Sequence, residues 1–440
     1  MIRRSAIKVV LAVLGLSGTA AAQAPLTLAD AIAHARAHNP DAGISAAAER
    51  EAVQHIGQAR AGYLPKIDVT ESWERGNQPV FVFSSLLAQR RFTAADFALG
   101  ALNHPDAVDN VRSAVTVEQS LFDGTSRASV TAAGIGRDMA AISRTLVDHD
   151  LAASVTGAYG RVLIAAAAGR SAAAATATAQ TDRELAGNRR DAGRVTDADV
   201  LQIDVYLARS REQQIRFASD ERIARMQLNQ LMGEPLDQAF ALDRPVAPLM
   251  IDTTDVSSLA TEALKNRPDV KLAALQEKLA GVARTSARAA FLPQVVAQAG
   301  WEIDGGAWST PASSWVVGAV ARINVFHGFA DTARLAEARE QETRRTLERE
   351  KAETAARLDV YIAVARLDAA RASDAVGRAV AAQARESQRI IRDRYEAGLT
   401  DVVSLLRASE ALVQAEAQQT GAAVAVLTET AALERSIGRR

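Results

Sequence analysis

Residues 394–401 read RYEAGLTD and separate two long alanine-rich segments, each with the periodicity of an α-helix. Glycine adopts positive φ without a penalty from a β-carbon, so the first helix can end at Gly398. Thr400 or Asp401 can then accept backbone hydrogen bonds and cap the next helix. The segment therefore predicts a helical hairpin. A second copy, RDAGRVTD at residues 190–197, makes Gly193 the counterpart of Gly398 and indicates an internal repeat.

The duplication extends to the beginning of the chain. Pro40 and Pro65 recur as Pro268 and Pro293, at the same spacing in both cases and with no gap between the copies. Proline disfavours helical geometry in the residue before it, so the first proline of each pair ends a short helix and starts a longer one. The sequence therefore predicts two consecutive helices at the start of each copy.

Strands follow the second proline of each copy. Apolar and polar residues alternate at residues 67–73 and 295–303, which is typical of a strand with one apolar face. A second alternating run follows in each copy, at residues 111–118 and 315–325, after a long loop at about residues 75–110 in the first copy and a short one in the second. Each repeat therefore supplies two strands.

Long helices follow the strands, at about residues 126–188 and 330–392. Sixty residues of helix rise about 90 Å, far more than a compact domain needs. Apolar residues repeat in the second helix at spacings of four and three, the pattern of a coiled-coil seam. The seam residues are Leu358, Ile362, Ala365, Ala369, Ala372, Val376 and Ala379.

Composition narrows the class of protein. Hydrophobic residues are 48% of the chain but aromatic residues only 4%, because many are alanine, which suits closely packed helices. The net charge of −1 argues against nucleic acid as a partner. The absence of cysteine excludes disulfides and thiolate metal sites.

The first residues predict export. Residues 1–22 have the basic, apolar and small-residue regions of a cleaved signal peptide. No later segment has about eighteen uninterrupted apolar residues, which argues against a helical inner-membrane protein. We expect repeat one at residues 23–234, a proline-containing linker at 235–255, and repeat two at 256–440.

Four strands with an apolar face cannot close a membrane barrel alone, since the smallest barrels use about eight and an open edge leaves backbone groups unpaired in lipid. The chain is therefore expected to oligomerise, with cyclic symmetry sharing the closure among identical copies.

The ordered, duplicated motifs resemble those of TolC-type outer-membrane efflux proteins. The motifs are Asn39-Pro40-Asp41 with Arg267-Pro268-Asp269, Leu64-Pro65 with Leu292-Pro293, Leu121-Phe122-Asp123-Gly124 with Val325-Phe326-His327-Gly328, and Tyr395-Glu396-Ala397-Gly398. The resemblance implies a mainly α fold with a membrane part: a homotrimeric, twelve-stranded outer-membrane β-barrel, four strands per chain, on a long periplasmic helical coiled-coil barrel. It also implies docking to a periplasmic adaptor protein, which links the duct to an inner-membrane transporter.

The same resemblance implies roles for particular residues. A hydrogen bond between Tyr395 and Asp199 is expected to help hold the periplasmic aperture closed. The residues expected at the adaptor-docking tips are Gly193, Gly398, Arg190, Arg394, Leu399, Thr400 and Asp401. The polar strand residues expected to line the pore are Asp68, Glu74, Arg112, Glu118, Glu302 and Arg322.

Catalytic and metal sites are not expected. His34 and His38 have the i, i+4 spacing of a metal-binding pair, but no third ligand is evident, which favours a solvated helix face. No nucleophile elbow or carboxylate dyad stands out, so the chain is not expected to be an enzyme. The resemblance implies a passive exit duct for an efflux pump or type I secretion system, without a cofactor. A soluble periplasmic coiled-coil scaffold and an adaptor protein remain as alternatives.

Overall fold

A computed structural model describes residues 25–242, 251–309 and 311–439. The predicted signal peptide at residues 1–22 lies outside the described residues, as do Pro245 and Pro248 of the predicted linker.

The first repeat alternates helices and strands in the predicted order. Its elements are α1 (Leu28–His38), α2 (Pro40–Ala61), β1 (Lys66–Gly76), α3 (Pro79–Ala88), a 3₁₀ helix (Ala94–Phe97), α4 (Leu99–Asn103), β2 (Val108–Phe122), α5 (Gly124–Asp191) and α6 (Asp197–Met232). The segment between β1 and β2 is thus partly helical rather than a bare loop. Pro79 starts α3, where its missing N–H is not needed.

The second repeat has the same order without the inserted helices. Its elements are α7 (Val256–Asn266), α8 (Pro268–Ala289), β3 (Gln294–Gly305), β4 (Ala312–Arg322), α9 (Ala330–Glu396) and α10 (Val402–Ser436). The last strand ends earlier than the predicted alternation does. The chain turns there because Gly328 and Phe329 adopt positive φ and the Asn324 side chain donates a 2.8 Å hydrogen bond to Asp331.

The chain forms two compact units that do not coincide with the repeats. The first contains the described parts of Met1–Asn39, Ser154–Met250 and Arg371–Thr428, and it includes both hairpin tips. The second contains Pro40–Ala153, Ile251–Ala370 and the described part of Glu429–Arg440, and it includes all four strands. Each long helix contributes to both units, so each unit draws on both repeats.

The four strands form one antiparallel sheet in the order β1-β2-β3-β4. Directly paired residues lie on the same face of such a sheet, so the register shows which side chains share a face. Trp301 pairs with Val115 and Trp315, while Ile67 pairs with Val117. These residues form one predominantly apolar face. Ile67, Trp301 and Val317 on it are 64%, 48% and 69% exposed, so the chain does not bury this face.

The ends of the returning helices repeat one contact in each unit. The Asn39 side chain donates a 2.9 Å hydrogen bond to the Leu231 carbonyl at the end of α6. In the second repeat Arg267 is the counterpart of Asn39, and Ser436 is the counterpart of Leu231. Arg267 donates a 3.4 Å bond to the Ser436 carbonyl. The correspondence read from the sequence therefore describes equivalent positions in three dimensions.

Helix α9 carries two apolar seams, and the chain buries only one of them. The buried seam also has spacings of four and three, and it consists of Ala356, Val360, Ala363, Leu367, Ala370, Asp374, Gly377 and Ala381. The predicted seam is offset from it by two positions, about 200° around the helix, and it is exposed along its whole length. Val376 on it is 60% exposed.

Helix α5 is long and apolar enough to cross a membrane by length and composition alone. However, 56% of its most apolar window is buried inside the protein, as in the core helix of a folded unit. Its alanine content therefore reflects close helix packing.

Candidate functional site

The hairpin tips have the glycine-centred geometry that the sequence predicts. Gly193 and Gly398 adopt φ of 69° and 75°, the left-handed conformation that ends a helix. Thr196 caps α6 through its hydroxyl, which accepts the Asp199 N–H at 3.3 Å. Asp401 caps α10 by accepting the Ser404 N–H at 2.7 Å. The side chain and the backbone N–H of Ser404 lower the pKa of the Asp401 carboxyl, because their hydrogen bonds favour its ionised form.

Tyr395 holds the two hairpins together by packing. It lies at the end of α9, is only 3% exposed, and joins an apolar cluster drawn from both hairpins. The other buried members of this cluster are Ala186, Val200, Ile203, Val402 and Leu405. Burial raises the pKa of the Tyr395 hydroxyl, which stays protonated at neutral pH.

Arg189 of α5 contacts Tyr395 in two ways. Its Nη1 donates a 2.8 Å hydrogen bond to the Tyr395 carbonyl, and its Nη2 donates to the carbonyl of Glu396. Its guanidinium also lies 5.0 Å from the centre of the Tyr395 ring, within the range of a cation–π interaction. A cation is favourable here because the last carbonyls of α9 lack helical partners and carry partial negative charge.

The predicted hydrogen bond between Tyr395 and Asp199 is not present. Among the residues that the structure describes, the buried Tyr395 hydroxyl has no hydrogen-bond partner. The Asp199 carboxylate instead accepts from the backbone N–H and hydroxyl of Thr196, at 2.9 and 2.8 Å. The Asp199 carboxylate therefore belongs to the capping box of α6, although the prediction paired it with Tyr395.

A buried ion pair lies next to this cluster. Asp182 of α5 is almost fully buried and accepts a 3.0 Å bond from Arg392 of α9. Burial raises the pKa of the Asp182 carboxyl, and the nearby Glu396 raises it further, against the lowering effect of Arg392. The pair links one helix of each hairpin close to Tyr395.

Most residues predicted to dock an adaptor are exposed at the tips. Leu399 is a large apolar side chain there, and it is 68% exposed. Arg190 pairs with its own neighbours, at 2.7 Å from Asp191 and 3.9 Å from Asp197. Arg394 is exposed and Thr400 is half-buried. The tips thus present exposed apolar side chains, Leu399 and Val403, among charged ones.

All six predicted pore residues lie on one face of the sheet. Pairing places Asp68 beside Thr116, Glu118 beside Gln298, and Arg322 beside Gln294. Glu74, Arg112 and Glu302 share the same parity in their strands, opposite to the face of Trp301. On this polar face Arg112 forms an ion pair with Glu302, whose other oxygen accepts from Ser314 at 3.0 Å.

Sequence reasoning missed Arg189, although the repeat contained a signal for it. Arg189 and Arg394 are separated by the same stretch of chain as the two tip glycines, so they are counterparts. The prediction named the adjacent Arg190 instead. Asp182 and Arg392 had no comparable signal, because charged residues are common along these helices.

Comparison with known proteins gives a family for this arrangement. The family model described as "Outer membrane efflux protein" matches residues 31–234 and 259–439. Protein CyaE of Bordetella pertussis is 29% identical over 419 residues, which cover 94% of this chain and 84% of that protein. Each matched segment falls within one of the two repeats.

Solved structures have the same fold. The outer membrane protein VceC from Vibrio cholerae superposes with a TM-score of 0.76 at 19% identity, covering 93% of this chain and 96% of the other. The Campylobacter jejuni CmeC outer membrane channel gives 0.78 at 15% identity, with coverages of 93% and 85%. A soluble scaffold and an adaptor, the alternatives left open by the sequence patterns, do not match this family. The chain therefore belongs to the outer membrane efflux protein family, and it is a transport duct of the outer membrane that extends into the periplasm, not an enzyme.

Proposed function

We propose that three copies of this chain form the passive exit duct of a tripartite efflux pump or type I secretion system. The three sheets close into a twelve-stranded barrel, and the hairpin tips dock to a periplasmic adaptor protein. The adaptor connects the duct to an inner-membrane transporter, which selects the cargo. The duct itself needs no cofactor.

The observation that carries this proposal is the two-faced, open sheet. One face is predominantly apolar and exposed, as a lipid-facing surface requires, and the other carries most of the charged side chains of the sheet. In the part of the chain that the structure describes, the outer edges of β1 and β4 pair with no other strand. Unpaired backbone groups are costly in lipid, so closure has to come from further copies.

The exposed seam of α9 supports the same assembly. Apolar side chains spaced by four and three residues pack into a neighbouring helix, and among the described residues the chain covers the opposite seam only. A helix with seams on opposite sides fits between two neighbours, as in the wall of a helical barrel. We infer that a second copy covers the exposed seam.

The tips fit a gate and a docking surface. Tyr395 and Arg189 hold the second hairpin against the first, so separating them would widen the aperture. Leu399 offers an exposed apolar side chain next to charged residues, and its burial against a partner would be favourable. We infer that the adaptor binds there.

Purification from outer membranes in mild detergent tests the proposal. Light scattering should give a protein mass of three mature chains, and the complex should conduct ions across a planar bilayer. Recovery of a monomer in a soluble periplasmic extract would overturn it.

Co-purification tests the binding of the adaptor. The wild-type duct should retain the adaptor encoded nearest its gene, whereas Leu399→Asp should lose it. Ala375→Asp, at another exposed position but far from the tips, is the control.

A further inference from the structure

His34, His38 and Glu234 meet at the junction of α1 with the end of α6. The two histidines lie one turn apart on α1, with ring centres 5.5 Å apart, and His34 Nδ1 is 3.3 Å from a Glu234 carboxylate oxygen. One potential ligand atom from each residue lies within 4.8 Å of the others. Glu234 is the third ligand that the sequence did not reveal, because it lies at the far end of the first repeat from both histidines.

We propose that these three side chains bind a divalent transition-metal ion of the Zn²⁺ class. Two imidazoles and one carboxylate are a common zinc ligand set, leaving a fourth position for water. Ligands about 2.1 Å from zinc lie roughly 3.4 Å apart in a tetrahedron, so small rotations of these side chains complete the site. Their partial exposure leaves room for such rotations, with His34 49% and Glu234 31% exposed.

The histidine tautomer favours binding. His38 Nδ1 lies 3.1 Å from the carbonyl oxygen of His34. A carbonyl oxygen can only accept, so this bond places the proton on Nδ1 and leaves the lone pair of Nε2 available to a metal. Such a backbone hydrogen bond commonly orients a metal-bound histidine and increases its basicity.

The backbone holds the ligands in place without a metal. Gly233 ends α6 with φ of 74°, and a β-carbon there would lie 2.5 Å from the His38 carbonyl oxygen. The Glu234 N–H is fixed by a 3.0 Å bond to the Asn229 carbonyl. The chain therefore brings the carboxylate of Glu234 to α1 through a tight backbone junction, which limits the entropy lost when a ligand binds.

The second repeat shows which contact joins the equivalent elements when the histidines are absent. Glu262 corresponds to His34 by the spacing that relates Pro268 to Pro40, and Arg439 corresponds to Glu234 by the spacing of the tip glycines. Glu262 and Arg439 form a two-bond ion pair, at 2.8 and 2.9 Å. In the first repeat His34 and Glu234 occupy these two positions, so the arginine–carboxylate ion pair is absent there. In the first repeat, a bound cation would link α1 to the end of α6 in place of that ion pair.

Metal titration of the detergent-solubilised, tag-free, chelator-treated protein tests the proposal. Calorimetry with Zn²⁺ should show one ion per chain, Co²⁺ should give a visible d–d spectrum, and Mg²⁺ should not bind. His38→Ala and Glu234→Gln should each weaken Zn²⁺ binding at least tenfold. His55→Ala is the matched control, because His55 is an exposed helical histidine 4.0 Å from Glu51. No Zn²⁺ binding by the wild type, or unchanged binding in both variants, would overturn the proposal.

A double variant that copies the ion pair of the second repeat separates metal binding from folding. His34→Glu with Glu234→Arg rebuilds the ion pair of the second repeat. It should lose Zn²⁺ binding, yet its Tm without metal should match that of the Zn²⁺-bound wild type, since ligand binding to the folded state raises Tm by mass action. A Tm in the wild type that does not change with saturating Zn²⁺ would contradict the role of the ion as a clamp.

Discussion

At the scale of single residues, the ring and the hydroxyl of Tyr395 contribute differently to the stability of the tip. The ring is buried between the hairpins, whereas the hydroxyl has no partner among the described residues. Packing rather than a tyrosine hydrogen bond therefore holds this contact. The predicted bond to Asp199 failed because helix capping competes for the carboxylate, and a nearby threonine was the sequence signal for that competition.

Substitutions at Tyr395 separate the ring from the hydroxyl. Tyr395→Phe should leave channel conductance and tip stability nearly unchanged, because it removes only an unpaired group. Tyr395→Ala should cost about 3 kcal/mol of local packing and raise the open probability in bilayer recordings. If the phenylalanine variant opens the channel as much as the alanine variant, the hydroxyl has a role that this arrangement lacks.

Arg189 offers a second test with an adjacent control. Arg189→Ala removes two bonds to the carbonyls at the end of α9 and should weaken the tip by about 1 to 2 kcal/mol, roughly a 5- to 30-fold change in its opening equilibrium. Hydrogen exchange of the amides at residues 395–399 should accelerate accordingly. Arg190→Ala should have little effect, because Arg190 pairs only within its own exposed hairpin. Equal acceleration in both variants would contradict the assignment.

At the scale of the helices, the ion pair between α5 and α9 makes the tip sensitive to pH. The pKa of Asp182 is raised in the folded state, so the packed hairpins bind a proton there more tightly than separated hairpins would. The stability contributed by this group is present below the ordinary pKa of aspartate and is lost as the pH rises through the raised value. Acidification through the raised pKa of Asp182 therefore favours the packed tip.

Hydrogen exchange at the tip as a function of pH checks this effect. After correction for intrinsic chemistry, protection of residues 393–400 should increase toward acidic pH in the wild type, and Asp182→Asn should flatten the dependence. Asp204→Asn is the control, because Asp204 is more exposed and pairs with Arg183 at 3.2 Å. A slope that persists in Asp182→Asn would assign the pH dependence to another group.

The two seams of α9 lead to a prediction about assembly. Val376→Asp places a charge on the exposed seam and should convert the oligomer to monomers in light scattering, without lowering the helix content of the chain. Ala375→Asp, at the adjacent position and exposed but outside both seams, should leave the oligomer intact. A trimer in Val376→Asp would show that no second copy covers this seam.

Helix periodicity predicted an apolar seam on α9 but did not identify the partner of that seam. Both seams of α9 have the same spacing, and alanine occurs on both, so sequence alone cannot assign one to the chain and the other to a copy. Strand positions were easier to predict, since alternation specifies two faces and the spacing shared by the paired prolines aligns Trp73 with Trp301. Helix α3 lies inside the predicted loop at residues 75–110, because Pro79 starts a helix there.

At the scale of the whole molecule, the polar face of the sheet determines the charge of the proposed pore. Four acidic and two basic residues among the six predicted pore residues leave −2 per chain, and Lys66 and Asp304 on the same face cancel each other. A narrow channel lined by excess negative charge concentrates cations. The assembled duct should therefore prefer cations over anions, although the chain as a whole is nearly neutral.

Reversal potentials in a KCl gradient measure this preference. Asp68→Asn with Glu118→Gln removes the excess charge, and the permeability ratio of K⁺ to Cl⁻ should fall toward one without loss of the trimer. Glu71→Gln is the matched control, because Glu71 follows Thr70 in β1 and so lies on the opposite face, where Ser113 donates a 2.6 Å hydrogen bond to it. Since Glu71 faces away from the proposed lumen, its neutralisation should not change the ratio. A larger effect from Glu71→Gln than from the double variant would mean that the sheet closes with its other face inward.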